Sequence, residues 1–349
     1  MVTPNLPWEL ESEMLSRVPP TSAKQLRLTC KRWYALFKDP IFIKNHLGKA
    51  GTQMILKNDD LVYSFSFGFH GYDQVIKFTG KLKRLNNSED VKISTISHCK
   101  GLLLCTTEDD RLVVGNPCTG QTRWIQLKPS SISYAKSFRY HLGYENNNKS
   151  WESYKVLSCS HYHHKTPGGC VRQGAFEIYE FNSDSWRVTD AISGDWSFLW
   201  GVAKSLKGDS YWLDTGYEDP MNNCIQRFDF TAEKLERLSL PCQGDEHSEV
   251  LSSVREEKLA LLCQYYSRNT GSFMKIWLTN TNTDEAKDFS WSEFLVVDFG
   301  MVDRPVVRSL LVDEENKKVM CCDTYYLNYD EPRTRIYIAG EDIYTQKCL

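Results

Sequence analysis

Three histidines and two cysteines within twelve residues are the side chains best suited to binding a metal: His161, His163, His164, Cys159 and Cys170. Imidazole and thiolate are ligands that Zn2+ prefers, but a closed zinc site needs ligand pairs at a fixed spacing. No second pair follows here, and the segment continues into Pro167-Gly168-Gly169, which is typical of a polar loop. The sequence therefore favours a long loop over a zinc site, and loops on a rigid scaffold commonly bind protein partners.

The triplet Gly208-Asp209-Ser210 has the composition of the nucleophile motif of some lipases and esterases. Nucleophilic catalysis also needs a base next to the serine, and no Asp-x-x-His segment follows near the end of the chain. The triplet lies between two strand-like runs, where Gly-Asp is typical of a hairpin turn. We therefore expect a turn at these residues and not a nucleophile.

Other catalytic signatures do not occur in the sequence. The chain has no P-loop, no G-x-G-x-x-G and no H-E-x-x-H motif. Aspartate and glutamate are frequent in the turns, but nothing singles out two of them as a catalytic pair. We therefore expect a protein that acts by binding, with no catalytic residue, metal or cofactor.

The composition of the chain is that of an ordinary globular protein. A length of 349 residues allows two or three domains. The apolar share of 41% and the charged share of 25% exclude a disordered or fibrous chain, and the aromatic share of 13% favours a sheet-rich body. A net charge of -3 gives no reason to expect nucleic acid or an anionic membrane as a partner.

The first residues and the cysteines indicate where the protein resides. Residues 1–5 have neither the basic start nor the apolar core of a signal peptide, and no run approaches the ~20 apolar residues of a membrane helix. None of the twelve cysteines forms a C-x-x-C pair. Several lie inside apolar runs, as small buried hydrophobic residues do: Cys30, Cys99, Cys105, Cys263 and Cys321. We expect a reduced, soluble protein of the nucleus or cytoplasm.

Residues 1–50 predict a small helical head as the first domain. Its first helix has four apolar residues at helical spacing on one face: Leu10, Met14, Leu15 and Val18. Pro19-Pro20 ends this helix, because the residue before a proline avoids the α region. The second helix has a continuous apolar stripe: Ala23, Leu26, Cys30, Trp33 and Phe37. Leu28 and Tyr34 lie off the stripe, so we expect this helix to need a partner outside the head.

The head is basic, whereas the remainder of the chain is acidic. It carries eight Lys and Arg against four acidic residues, so its net charge is +4 and that of the remainder is -7. This difference favours an acidic partner for the head, although ordinary solvated helix faces give the same pattern.

Four short motifs of the head keep the order and spacing of a known module: Leu6-Pro7, Leu15-Ser16-Arg17-Val18-Pro19, Cys30-Lys31-Arg32-Trp33 and Asp39-Pro40-Ile41-Phe42. In these motifs the head resembles an F-box. The resemblance implies docking on the Skp-type adaptor of a cullin–RING (SCF) ubiquitin ligase. Carried over by position, it implies eight adaptor-facing residues: Leu6, Pro7, Leu15, Val18, Pro19, Leu26, Cys30 and Trp33. The alternative is that these residues only pack a helical cap onto the main domain.

Residues 51–349 predict an all-β second domain built from a repeated unit. Short apolar runs alternate with Gly, Asn and Asp, as in a series of hairpins. One pattern recurs about every 50 residues, an interval typical of propeller blades. It consists of an apolar strand, a turn with Asn or Asp, and a Trp or Leu in the next strand. The four copies end at Trp124, Trp186, Leu238 and Trp291. We expect four strands per repeat, and closure of the ring by pairing of residues 336–338 with strands near 54–67.

Six motifs of this domain match a second known module: Gly101-Leu102-Leu103-Leu104-Cys105, Val114-Gly115-Asn116-Pro117, Leu142-Gly143-Tyr144, Tyr154-Lys155-Val156-Leu157, Glu177-Ile178-Tyr179 and Ser185-Trp186-Arg187. In these motifs the domain resembles the F-box-associated, kelch-like domain of plant F-box proteins. The resemblance implies a β-propeller that presents a protein-binding face, and the repeats in the sequence predict about six blades, with five or seven also allowed. The expected fold is therefore a small all-α F-box head followed by an all-β propeller.

Together the two resemblances imply the substrate-recognition subunit of an SCF E3 ubiquitin ligase. The F-box would dock on the Skp-type adaptor, and the propeller would recruit a target protein for ubiquitination, so the chain would be a non-catalytic subunit. Neither the target nor its binding surface can be read from the sequence. The main alternative is a glycan-binding, lectin-like F-box receptor, which predicts aromatic residues clustered on one rim. A propeller hydrolase would instead need a close pair of carboxylates.

Overall fold

A computed structural model gives the fold. It describes residues 7–16, 18, 26–39, 42, 53–58, 61–68, 71–79, 81–84, 87–116, 121–127, 137–146, 153–166, 169–189, 203–214, 223–242, 247–255, 257–267, 271–280, 290–300, 306–327, 331–340 and 344–348. The chain separates into two compact units, Met1–Gln126 and Leu127–Leu349. The division between head and body at residues 50 and 51 stays a prediction.

The head contains two short helices with both ends in the described residues, α1 (Trp8–Ser16) and α2 (Lys31–Leu36), and Leu26, Arg27 and Phe42 are helical as well. Glu9 and Glu11 lie in the first turn of α1, where the helix dipole favours negative charge. Cys30 has an extended backbone, with φ -156° and ψ 161°, and its Sγ accepts a hydrogen bond from the Trp33 backbone N–H. The predicted second helix is therefore not continuous, because a residue in this conformation precedes a helix instead of continuing one.

A small apolar core holds the head together. Four of its side chains are buried: Leu15, Leu36, Phe37 and Phe42. The rings of Phe37 and Phe42 meet edge to face with centroids 5.2 Å apart, and Asp39 Oδ1 accepts a hydrogen bond from the Phe42 backbone N–H. Leu15 is buried whereas Leu10 and Met14 are exposed, so the predicted apolar face of this helix lies only partly against the core.

The described residues of unit Met1–Gln126 also form two antiparallel sheets. The three-stranded sheet consists of β1 (Gln53–Asn58), β2 (Leu61–Gly68) and β3 (Gly71–Thr79). The five-stranded sheet consists of β4 (Lys81–Arg84), β5 (Asn87–Cys99), β6 (Leu102–Thr107), β7 (Leu112–Gly115) and β8 (Thr122–Ile125). The strands of each sheet follow one another in chain order, so each sheet is a meander.

The described residues of unit Leu127–Leu349 form four sheets of four strands each. The first consists of β9 (Ser137–Glu145), β10 (Ser153–Thr166), β11 (Gly169–Glu180) and β12 (Ser185–Val188). The second consists of β13 (Lys204–Leu206), β14 (Asp209–Asp214), β15 (Cys224–Asp229) and β16 (Lys234–Ser239). The third consists of β17 (His247–Val254), β18 (Lys258–Ser267), β19 (Gly271–Thr279) and β20 (Trp291–Gly300). The fourth consists of β21 (Val307–Asp313), β22 (Lys318–Leu327), β23 (Glu331–Gly340) and β24 (Tyr344–Cys348).

This succession of antiparallel meanders is the blade organisation of a β-propeller, which confirms the predicted fold class. Five sheets have four or more strands and form five blades, and the described residues add the three-stranded sheet β1–β3. The expected number of about six is thus close. The predicted ring closure is wrong, because Ile336 in β23 pairs with Cys322 on one side and with Lys347 on the other.

The repeat recognised in the sequence is the hairpin between the last two strands of a blade. Trp124 pairs with Val113 across β7 and β8, and Trp186 pairs with Tyr179 across β11 and β12. The two later copies end in β16 and β20, where Leu238 pairs with Ile225 and Trp291 pairs with Thr279. The same local pattern therefore recurs at the same place in four blades, as the sequence predicts.

Adjacent blades of the second unit pack through apolar side chains. One cluster joins Leu157 and Ile178 of the first of these sheets to Trp212 and Phe228 of the second. At the edge of this contact the backbones touch, because the Tyr144 N–H donates to the Gly208 carbonyl oxygen at 3.0 Å. Further clusters join the second sheet to the third and the third to the fourth. The four sheets therefore form a continuous packed series.

Candidate protein-docking surfaces

The structure describes six of the eight predicted adaptor-facing residues, and four of these lie in or against the core of the head. Leu6 and Pro19 lie outside the described residues. Four others belong to the core or pack against it: Leu15, Val18, Leu26 and Trp33. Pro7 and Cys30 are exposed. The role of the eight residues in docking stays a prediction, but Leu15 and Trp33 have a structural function in the head itself.

A polar network joins the two helices of the head. The indole Nε1–H of Trp33 donates a hydrogen bond to Glu11 Oε1, and Glu11 Oε2 forms an ion pair of 2.7 Å with Arg32. The guanidinium carbon of Arg32 in turn lies 4.9 Å from the ring centroid of Trp8, within the range of a cation–π contact. The network fixes α1 against α2, so it sets the geometry of the surface that the two helices present.

The head leaves large apolar side chains exposed beside its closed core. Leu10 is 53% exposed, Met14 is 61% exposed and Leu28 is 74% exposed. Leu10 and Met14 are four residues apart on α1 and therefore lie on the same side of that helix. Exposed apolar side chains this close together are typical of an interaction site. The sequence placed Leu28 off the apolar stripe. It grouped Leu10 and Met14 with Leu15 on one helix face without deciding which of them is buried, because periodicity alone does not give the phase of a helix.

The histidine-rich segment is a β-hairpin and not the predicted loop. Strands β10 and β11 include residues 161–166 and 169–175, and His163 pairs with Arg172 across them. The side chains of this segment lie outside the described set. No group of three or more candidate metal ligands occurs among the side chains that the structure does describe. Cys159 is buried in an apolar cluster, and burial raises the pKa of its thiol well above the ordinary value.

The triplet Gly208-Asp209-Ser210 forms the turn that the sequence predicts. Leu206 pairs with Asp209 across β13 and β14. Ser210 is 1% exposed, and its hydroxyl donates a hydrogen bond to the Leu142 carbonyl oxygen of the neighbouring blade. Asp209 accepts hydrogen bonds from Arg227 at 2.7 and 2.9 Å, while burial raises the pKa of Asp209 to about 6. Both side chains therefore serve the contacts within and between blades.

Two family comparisons cover almost the whole chain. Residues 53–348 match the F-box associated beta propeller domain, and residues 4–45 match the F-box domain. An F-box/kelch-repeat protein of Arabidopsis thaliana is 49% identical over 353 residues, which cover 98% of this chain and 89% of that protein. The chain belongs to the F-box/kelch-repeat family. A second F-box/kelch-repeat protein of the same plant is 44% identical and covers 99% of this chain and 89% of its own length.

Solved structures add little to this assignment. An oligogalacturonate lyase in complex with manganese matches with a TM-score of 0.43 and 10% identity, over 82% of this chain and 69% of that chain. A likeness at this level carries no argument about fold or function. In the described part of this F-box protein, no helix is long and apolar enough to span a membrane.

The family assignment gives the exposed apolar side chains of the head a context. Leu10, Met14 and Leu28 belong to the segment that matches the F-box domain. An F-box with a closed core and an exposed apolar side has the features of a module that completes its burial in a complex.

Proposed function

We propose that this F-box protein is the substrate-recognition subunit of an SCF E3 ubiquitin ligase. Its head docks on the Skp-type adaptor, and its propeller holds a target protein. One observation carries the proposal: the head has a closed core around Leu15 and still leaves the apolar side chains of Leu10, Met14 and Leu28 exposed. Burying such side chains in a partner is favourable by roughly 25 cal/mol per Å2 of apolar surface.

The proposed mechanism is proximity. A target held by the propeller stays near the ubiquitin-charged enzyme that the ligase recruits, so the effective concentration of its lysines rises. This chain makes and breaks no bond in that scheme, and it needs no metal or cofactor. The proposed place of action is the nucleus or the cytoplasm, where ubiquitin ligases of this kind would meet their targets.

In this proposal, the residues of the head divide into two groups. Leu15 and Trp33 shape the head, since Leu15 is in its core and Trp33 ties α2 to α1. Leu10 and Met14 contact the adaptor directly, because they are exposed on the helix that this network fixes. A substitution at Leu15 would therefore reduce docking by disturbing the head, whereas one at Met14 would act on the interface alone.

A pull-down with a purified Skp-type adaptor tests the proposal. Leu10→Gln and Met14→Gln keep good helix formers at both positions and remove the apolar contacts. We expect the double variant to bind the adaptor about thirtyfold more weakly, as expected for the loss of interface hot spots. Glu9→Gln is the matched control, since Glu9 is exposed on the same helix.

The two outcomes have different consequences. Loss of binding in the double variant, with an unchanged circular dichroism spectrum and normal binding by Glu9→Gln, would support docking through this surface. Failure of the folded wild-type chain to bind any Skp-type adaptor would refute the ligase role, and the propeller would then have to act as an independent binding domain.

The glycan-binding alternative predicts an exposed aromatic cluster. Four described aromatic rings form a chain of pairwise contacts: Phe138 with Tyr140, Tyr140 with Trp186, and Trp186 with Tyr179. They are buried or half-buried on the sheet β9–β12, with Tyr179 only 1% exposed. These aromatics therefore give no particular support to stacking on sugars, and binding on a glycan array would be the evidence for it.

A further inference from the structure

Helix α2 and the residue pair that follows it present a basic face to solvent. Lys31, Tyr34, Ala35 and Lys38 are all exposed, Tyr34 by 44%. The first three lie on one side of the helix because they are three or four residues apart, and Lys38 Nζ lies 4.3 Å from the ring centroid of Tyr34. We call these four residues the basic face. The core of the head takes Leu36 from the same helix, so the basic face has no part in that core.

The positive charge around the basic face is not balanced within the described part of the head. Residues 26–39 contain four Lys and Arg against one acidic residue, a net charge of +3. Glu11 of α1 neutralises Arg32 through an ion pair of 2.7 Å. Neither Lys31 nor Lys38 forms an ion pair with another described residue. Charge complementarity therefore selects an acidic partner for this face.

The size of a stable interface indicates that the docked adaptor also covers part of α2. Such an interface takes roughly 20–30 residues from each partner, and the whole F-box match comprises only residues 4–45. Contacts limited to Leu10 and Met14 on α1 are too few for an interface of this size. Charged side chains belong to the rim of an interface, where they raise the rate of association more than the affinity.

We infer that the basic face of α2 binds an acidic segment of the Skp-type adaptor. This inference rests on the proposed function, in which the head docks on that adaptor. The exposed apolar side chains of α1 supply most of the affinity, and Lys31 and Lys38 guide the adaptor into place. A nucleic acid is disfavoured because two lysines neutralise only two phosphates, whereas binding to a polyanion rests on many such contacts. An adaptor held by apolar contacts as well needs only a few charges.

Stopped-flow measurement of adaptor association and dissociation tests the inference on the full chain. Lys31→Gln with Lys38→Gln keeps good helix formers, so the circular dichroism spectrum should not change. This variant should associate about threefold more slowly at about 0.1 M salt and nearly as fast as the wild type at about 1 M salt, because salt screens the charges. The matched control is Lys207→Gln with Lys234→Gln, which removes the same charge from exposed positions of the propeller. The control should associate at the wild-type rate.

Three kinetic results would overturn the inference: an unchanged association rate in the lysine variant, equal slowing in the control, or slowing that persists at high salt. A dimer of the chain alone that the lysine variant abolishes would also overturn it and would assign the basic face to a second copy.

The kinetics separate this inference from the proposed function. Leu10→Gln with Met14→Gln should mainly raise the dissociation rate, because it removes apolar contacts and no charge. Normal adaptor binding that the lysine variant leaves unchanged would remove only the role of the basic face. Failure of the wild type to bind the adaptor would remove the ligase role itself.

Discussion

His141 on β9 is buried without a hydrogen-bond partner at either ring nitrogen among the described residues. Its ring stacks on Trp212 of the next blade, with centroids 4.7 Å apart and planes inclined by 4°. Burial, with a smaller effect of Arg139, lowers the pKa of His141 to about 3. The side chain therefore acts as a neutral flat ring in an apolar contact, and its protonation opposes folding.

The stability of the protein should consequently fall in mild acid. An unfolded histidine has a pKa of about 6.5, so the unfolded state binds a proton that the folded state excludes, and this linkage removes roughly 2 kcal/mol of stability between pH 7 and pH 5. His141→Phe keeps the stacked ring and removes both unpaired nitrogens. We expect the variant to be about 1 kcal/mol more stable at neutral pH and to lose this part of the pH dependence.

Urea unfolding at the two pH values measures both effects. His98→Phe is the histidine control for the pH dependence, since His98 is exposed on β5. This variant also loses the hydrogen bond that His98 Nε2 accepts from the Gly101 N–H, so the change of its stability between the two pH values is compared, and not its stability at one pH. An unchanged pH dependence in His141→Phe would show that other groups cause the acid sensitivity of the fold.

At the scale of elements, the contact between the first two blades of the second unit depends on two glycines. A Cβ atom on Gly143 would lie 2.2 Å from the ring of Phe230, and one on Gly208 would lie 2.6 Å from the Tyr144 carbonyl oxygen. Gly208 also has φ +98°, which side chains rarely adopt. Strand β9 and the turn before β14 can approach this closely only because neither residue has a side chain.

Gly143→Ala should therefore destabilise the second unit by about 1–3 kcal/mol, the usual cost of overpacking an interior. Gly115→Ala is the matched strand control, because its Cβ would meet only Thr122 Cγ2 at 3.6 Å and the Gln121 carbonyl oxygen at 3.9 Å. We expect the control to change stability by about 0.5 kcal/mol or less. Equal melting temperatures for the two variants would contradict this prediction. They would show that β9 and the turn before β14 can move apart to admit the methyl group at no cost in stability.

At the scale of the whole molecule, a covalent link joins two blades of the propeller. Cys242, just after β16, forms a disulfide with Cys263 in β18, 21 residues away. Both residues lie in the apolar cluster between these sheets. The expectation of reduced cysteines is therefore wrong for Cys263, which is buried but bonded, and the expectation of a buried Cys30 is wrong because Cys30 is exposed. Cys99, Cys105 and Cys321 are free and buried as predicted.

Reduction of this bond should destabilise the propeller by about 3 kcal/mol, since it frees a loop of this size in the unfolded chain. The melting temperature of the wild type should therefore fall when a reductant is added. Cys242→Ser with Cys263→Ser should melt at a lower temperature and should not respond to the reductant. A response of similar size in the double variant would mean that other cysteines cause the effect.

The sequence by itself determined the parts of this protein that depend on local patterns. Alternating apolar runs and turn residues predicted the all-β blades, the position of Trp186 in a repeated hairpin and the turn at Gly208-Asp209. Four short motifs, in a fixed order and spacing, were enough to predict the F-box of the head. These features could be predicted because each depends on residues that are neighbours along the chain or pair across a short turn.

Only the tertiary structure decided how distant segments meet. It placed Leu15 in the head core and left Met14 exposed, because packing against Phe37 and Phe42 sets the rotation of α1. It paired the histidine-rich segment with residues 169–174 and brought Cys242 to Cys263 across two sheets. Hydrophobic periodicity does not show which side of a helix faces the core. Residue type alone did not show whether the histidine-rich segment is a loop or a strand. The burial available in the assembled fold selects between them.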